Sequence, residues 1–244
     1  MKPFLLLSIR PEQVAAENEY DAFRTFSGLS HEQLHRVQLT AGHLGQVNLA
    51  DWSGIMLGGG PFNASDPVKS PLQTRVEDEI AELLDTIIAE DFPFLGACYG
   101  IGTLGTHMGA VIDQLYGEAV GAINVTLTPE GRGDPLFEGL PDQFWAYGGH
   151  KEAISQLPQE AVALATSSRC PVQAFKYAER VYATQFHPEL DLAGLATRIE
   201  VYRNAGYFPP EDAAELIEVA GQTHVVHPMK VLHNFVALAA GGVR

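Results

Sequence analysis

One thiol in this chain stands where a nucleophile could work. Cys98 lies in Phe94-Leu95-Gly96-Ala97-Cys98-Tyr99-Gly100-Ile101-Gly102, an apolar run that enters a tight, glycine-flanked turn. A strand–nucleophile–helix elbow has this pattern and exposes its side chain at the carboxyl end of a sheet strand. The partial positive charge of the following helix N-terminus favours a thiolate. A small buried apolar residue, the usual fate of a free cysteine, has the same pattern. A thiol nucleophile needs a base, and Tyr182-Ala183-Thr184-Gln185-Phe186-His187-Pro188-Glu189 offers one. His187 ends an apolar run, Pro188 restricts its backbone, and Glu189 is placed to hold and polarise the imidazole, as in a nucleophile–base–orienter triad. A surface histidine at a strand end would look alike. The third segment is Met56-Leu57-Gly58-Gly59-Gly60-Pro61. Its glycines let backbone N–H groups approach a ligand and bind a developing oxyanion, although a plain turn reads the same way. No Gly-Lys-Ser/Thr follows, so it is not a phosphate loop.

These segments need a scaffold that gathers strand ends. Residues 4–9 read as a strand buried on both faces, because the apolar run is continuous. Helices are expected over 17–27, 76–90 and 100–108, and strands over 37–40, 54–57 and 94–96. That alternation predicts a parallel sheet with helices on both faces, which binds ligands at its carboxyl edge. Closely spaced candidates at 119–128, 143–147, 161–166, 172–177 and 181–186 predict a partly antiparallel second half. Helices over 192–204, 211–219 and 229–239 complete the chain.

In this order, the segments resemble the class I, triad-type glutamine amidotransferases, in particular GMP-synthase-like stand-alone members. Gly59-Gly60-Pro61, Gly96-Ala97-Cys98-Tyr99-Gly100 and His187-Pro188-Glu189 match that family in type, order and spacing. His150-Lys151-Glu152-Ala153-Ile154-Ser155-Gln156-Leu157-Pro158 is similar to its Ser-His-x-Asp-x-Val-x-x-Leu-Pro segment. The resemblance implies an α/β fold: a flavodoxin-like, doubly wound, mostly parallel sheet with a small antiparallel addition and C-terminal helices. It places an amidotransferase-like domain at 1–205, and the remaining residues, 206–244, form a helical extension packed on the same domain.

The resemblance also assigns roles. Cys98 attacks the γ-carboxamide of a glutaminyl group; His187 takes the thiol proton and returns it to the leaving ammonia; Glu189 orients His187. The N–H groups of Gly60 and Tyr99 form the oxyanion hole, and Gly59, Gly100, Gly102, Gly149 and His150 belong to the substrate site. A γ-glutamyl thioester is then hydrolysed or transferred. No cofactor and no metal are implied. The tail is expected to be too short for an attached synthetase, so an ammonia acceptor would be bound by a separate partner protein, or there is none. Two positions depart from the family: Gly102 replaces a glutamine that holds the substrate, and Gly149 replaces a serine. Losing a hydrogen-bonding side chain changes which ligand fits. The departures keep two alternatives open: a γ-glutamyl hydrolase acting on a substituted amide or peptide, and a non-catalytic binding or regulatory protein on the same scaffold.

Composition narrows the partners. Asp plus Glu number 30 against 15 Lys plus Arg, for a formal net charge of -15, which speaks against nucleic acid or an anionic membrane surface. Two cysteines build no disulfide framework, and the N-terminal apolar run reads as a strand rather than a signal peptide. A cytoplasmic location is expected, with the oligomeric state open. Cys170 is read as structural, and His107, His224, His227 and His233 as neither catalytic nor ligating. Arg10 and Glu17 flank the first strand-to-helix loop, where surface pairing is the default and substrate contact the alternative.

Overall fold

Every residue of Phe4-Leu5-Leu6-Leu7-Ser8 is buried, and the segment forms β1 (Phe4–Ser8) inside a nine-stranded sheet. Successive side chains of a strand point to opposite faces. Phe4 and Leu6 accordingly enter one core cluster, and Leu5 and Leu7 the other. The computed structural model describes residues 1–241. The strands are β2 (Leu34–Gln38), β3 (Gly54–Leu57), β4 (Phe94–Ala97), β5 (Val111–Asp113), β6 (Glu118–Leu127), β7 (Gln143–His150), β8 (Ala153–Gln156), β9 (Ala161–Ser167), β10 (Ala174–Tyr177) and β11 (Val181–Thr184). The main sheet has the order β2-β1-β3-β4-β11-β10-β9-β6-β7, and β5 pairs separately with β8. The first five strands of that order run parallel, and the other four alternate in antiparallel fashion.

The helices are α1 (Gln13–Ser27), α2 (Pro71–Ala89), α3 (Tyr99–His107), α4 (Pro129–Gly133), α5 (Leu192–Val201), α6 (Ala213–Gly221) and α7 (Met229–Gly241). Phe23 of α1 and Val231, Leu232 and Phe235 of α7 cover one face of the sheet. Val76 and Ile80 of α2 and Ile101 and Leu104 of α3 cover the other. Phe235 meets Phe4 edge-on at 6.3 Å between ring centroids, so α7 packs onto β1. Around Tyr147, α5 and α6 build a third cluster.

Local chemistry sets the ends. Gly28 closes α1 in the left-handed conformation, with φ 73°. Ser70 Oγ accepts from Gln73 N at 3.1 Å, and Pro71 occupies the first turn. The helix therefore starts before the apolar periodicity that marks 76–90 begins. Helix α1 likewise starts at Gln13, and β2 sits at Leu34–Gln38 rather than 37–40. The spacing signals miss β5, β8 and α4. The two strands pair only with each other, joining Val111 to Gln156 across a long stretch of chain, so no local alternation marks them.

A Cβ built on Gly96 would lie 2.8 Å from Gly100 Cα, because α3 leaves the elbow hard against β4. Backbone cannot yield to that clash cheaply. Gly96→Ala is expected to cost about 1–3 kcal/mol. Gly42→Ala, with nothing within 4 Å of its built Cβ, should stay within about 0.5 kcal/mol of the wild type. Urea unfolding of both variants checks this; equal stability would contradict the packing argument.

Candidate active site

Parallel pairing brings the loops together. Leu57 pairs with Gly96, and Ala97 pairs with Thr184. The residues that follow β3, β4 and β11 therefore leave the sheet side by side, at the carboxyl edge where open α/β sheets bind ligands. Gly58 to Pro61 follow β3, Cys98 follows β4, and His187 follows β11.

Cys98 adopts φ 55° and ψ −95°, a conformation that non-glycine residues rarely hold. Its N–H donates to Thr184 O at 2.8 Å, and its carbonyl accepts from Ile101 N at 3.0 Å. The two flanking elements thus clamp the strained residue from both sides. Among the described residues, the N–H groups of Gly60 and Tyr99 have no protein acceptor.

His187 is positioned by its own backbone, whose N–H donates to Tyr147 O at 2.9 Å. Its Nδ1 lies 2.7 Å from Glu189 Oε1, which assigns the proton to Nδ1 and leaves Nε2 for an incoming thiol proton. A Cβ built on Gly59 would fall 2.9 Å from His187 Cε1 and 3.4 Å from Cys98 Cβ, so only a glycine fits between base and thiol. Burial works against a charged imidazole, but Glu189 and, after it, the neighbouring Cys98 outweigh it and raise His187 to about 9. Burial likewise works against the Glu189 carboxylate, yet His187 and then Arg198 pull it down to about 2. The arrangement can take a proton from a thiol and hold it beside a buried carboxylate.

Two lobes meet at Cys98. The larger has a volume of about 70 Å³ and is lined by Arg10, His187, Leu190, Leu195, Arg198 and Phe208 among others. The smaller, about 30 Å³, is lined by Tyr99, Gly102, His150, Lys151 and Glu152 among others. Gly60, Gly149 and Tyr207 border both. Gly59 and Gly100 line neither. Gly59 keeps space beside His187, and Gly100 backs onto β4. A Cβ on Gly102 would lie 3.0 Å from Glu152 Oε1 and 3.3 Å from Ala64 Cβ, so Glu152 occupies the space a larger residue would need. Its carboxylate accepts from Ala64 N at 2.7 Å and Ser65 N at 2.8 Å, tying down the loop after β3.

His150 borders the small lobe with both ring nitrogens committed. Nδ1 faces Glu152 O and Nε2 faces Glu118 Oε2, each at 2.9 Å. Both ring nitrogens are thus held by acceptors, which fixes the plane of the ring. Glu118, His150 and Cys170 offer ligand atoms within 4.8 Å of one another, a spacing that could hold a metal. Hydrogen bonds from Ser167, Gln173 and His150 already occupy the carboxylate. Burial pushes the Cys170 thiol up to about 12, which opposes its use as a thiolate ligand.

Sequence spacing pairs Arg10 with Glu17 at the surface, but the fold does otherwise. Glu17 binds Arg36 at 2.7 Å, while buried Arg10 binds buried Glu19 at 2.8 Å. Arg198 lies 3.6 Å from Glu189 and 3.9 Å from Glu19. Glu19, Arg198, Tyr202 and Tyr207 are the site neighbours that motif reading overlooks. An arginine on the apolar stripe of α5, between Leu195 and Ile199, is the one signal that could have flagged Arg198.

The His187–Glu189 pair predicts a pH window. The raised pKa of His187 adds stability that is complete below its ordinary value of 6.5 and is lost as pH rises through about 9. The lowered pKa of Glu189 adds stability that is complete above its ordinary 4.5 and is lost as pH falls towards about 2. The stability difference between the wild type and Glu189→Gln should therefore peak between pH 4.5 and 6.5. Urea melts across this range test it, and a flat difference would mean that the pair is not ionic.

Comparison with known proteins identifies the family and the fold. The family model for glutamine amidotransferase class-I matches residues 27–199. The glutamine-hydrolyzing GMP synthase of Acetivibrio thermocellus is 31% identical over 138 residues, covering 56% of this chain and 24% of that protein. The chain thus matches about a quarter of that relative's length. A shorter relative from Thermoplasma acidophilum, named as one subunit of a glutamine-hydrolyzing GMP synthase, is 29% identical, over 57% of this chain and 64% of that one. Among solved structures, a glutamine amidotransferase from Thermotoga maritima superposes with a TM-score of 0.75 at 22% identity, covering 97% of each chain. A glutamine amido transferase from Methylobacillus flagellatus also gives 0.75, at 17% identity over 100% of this chain and 96% of that one. These structural likenesses speak to the fold. Among the described residues, no helix is long and apolar enough to cross a membrane. With the family model matching through the elbow and the histidine segment, the chain belongs to the class I glutamine amidotransferase family.

Proposed function

We propose that this protein hydrolyses a γ-glutamyl amide through a γ-glutamyl thioester on Cys98. The observation that carries the reading is the hydrogen-bonded His187–Glu189 pair at the same cavity wall as a strained, partly exposed Cys98. Cys98 gives its proton to His187 Nε2 and attacks the amide carbon. The N–H groups of Gly60 and Tyr99 stabilise the oxyanion. His187 protonates the departing nitrogen, and water then attacks the thioester with His187 again as base. Glu189 keeps the imidazole oriented and offsets its charge. The glutamyl head group sits in the small lobe, where Lys151 and Glu152 supply a cation and an anion to complement an amino acid. The relatives that are named as subunits of GMP synthase support a second element: a separate protein that accepts the released ammonia when glutamine is the substrate.

The test is amine release from glutamine and substituted γ-glutamyl amides, with intact mass to follow acylation. Cys98→Ala should lose the adduct and about 10³-fold or more of the turnover. Glu189→Gln should lower kcat about 10²- to 10⁴-fold while leaving Cys98 able to acylate. Turnover at the wild-type rate in Cys98→Ala would refute the proposal.

A further inference from the structure

We propose that the larger lobe is a leaving-group subsite for an amine that carries a carboxylate, so that the preferred substrate is a γ-glutamyl amino acid or peptide rather than free glutamine; this rests on the thioester reading above. The side of departure follows from His187. It lines the larger lobe and not the smaller one, and the nitrogen that takes its proton must leave past it. Ammonia needs no lobe of its own. This one is walled by Leu190, Leu195, Ile199 and Phe208, which suits an apolar side chain on the departing amine.

The charged part of the wall fixes the anion. Arg10 and Arg198 both line the lobe, whereas Glu19 and Glu189, the carboxylates beside them, lie behind it. A ligand therefore meets Arg10 directly and feels the buried Arg198 charge through the wall. Arg10 spends Nε on Glu19 and Nη1 on the Tyr202 hydroxyl, at 2.8 and 3.2 Å. Among the described residues its Nη2 bonds nothing, and it reaches to 2.8 Å from a Cβ built on Gly59, beside His187. That arm is left for a ligand. Arg198 adds its charge from deeper in the wall: among the described residues, none of its three guanidinium nitrogens has a hydrogen-bond acceptor. Burial, and after it the like charge of Arg10, lowers the Arg198 pKa, and an anion in the lobe would offset the repulsion between the two guanidinium groups. A planar guanidinium is matched to a carboxylate.

The chemistry balances without a co-reactant beyond water. The Cys98 sulfur bonds the γ-carbonyl carbon, the C–N bond breaks, and the nitrogen leaves with the proton from His187 as a free amino acid or peptide. Water then cleaves the thioester, returning glutamate and the thiol.

The experiment compares kcat/KM of the purified full chain for γ-glutamyl-leucine, for γ-glutamyl-3-methylbutylamide, which is the same amide without the carboxylate, and for glutamine. The carboxylated amide should exceed the neutral one by about 10- to 100-fold. Arg198→Gln and Arg10→Gln should each bring that ratio towards one. The ratio is internal to each preparation, so partial misfolding does not move it. Equal rates on the two amides in the wild type, a ratio unmoved in both variants, or glutamine as the best substrate would overturn the subsite and leave the thioester reading standing. No turnover and no Cys98 adduct with any of the three would overturn both.

Discussion

The register of β4 against its two parallel neighbours is the constraint on which the site depends. With Leu57 opposite Gly96 and Ala97 opposite Thr184, three strands end at one level. The glycine loop, the elbow and the histidine segment then have nowhere to go but towards one another. A slip of one residue would turn every side chain of β4 to the opposite face. It would also break the bond from Cys98 N–H to Thr184 O that holds the strained elbow. The close approach of Gly100 to Gly96 belongs to the same constraint, since the helix after the elbow must pack directly on the strand before it.

The site also collects charges that are costly to bury alone. Glu19 and Glu189 are almost wholly buried, as are Arg10, Arg198 and His187. A low-dielectric interior tolerates them because opposite charges lie together and all but Arg198 are hydrogen-bonded. Glu19 accepts from Ser8 and Arg10, and Glu189 accepts from His187. Such a cluster is a poor source of net stability, but it holds its members in one geometry and aligns an imidazole. A second charged post, Glu118 with His150, Ser167 and Gln173, anchors the other wall through the backbone of Glu152. Members of the first post line the larger lobe and members of the second line the smaller one, and Cys98 lines both.

Much of this was legible in the chain. The continuous apolar run of β1 and the alternation of strands and helices announced a parallel sheet. The glycines around Cys98 and the tripeptide His187-Pro188-Glu189 marked the candidate site, because a tight strand-to-helix turn and a hydrogen-bonded His–Glu pair need those residue types close in sequence. Helix starts at Gln13 and Pro71 were less visible, since capping and first-turn residues are polar and carry no apolar period. The short pair β5 and β8 left no trace, because a two-strand ladder between distant segments has no local pattern.

The sequence by itself determined the residues that do local work: the elbow, the tripeptide and the glycines that leave room for backbone. Their roles follow from neighbours one to four positions away. Only the tertiary structure decided which partners the buried charges took. Arg10 found Glu19 rather than Glu17 because the helix turns Glu17 outward to Arg36. Arg198 reached the same cavity from a helix far along the chain, and Glu152 filled the space beside Gly102. Those contacts join segments that are distant in sequence, and electrostatic pairing across a fold depends on the final packing rather than on any local spacing.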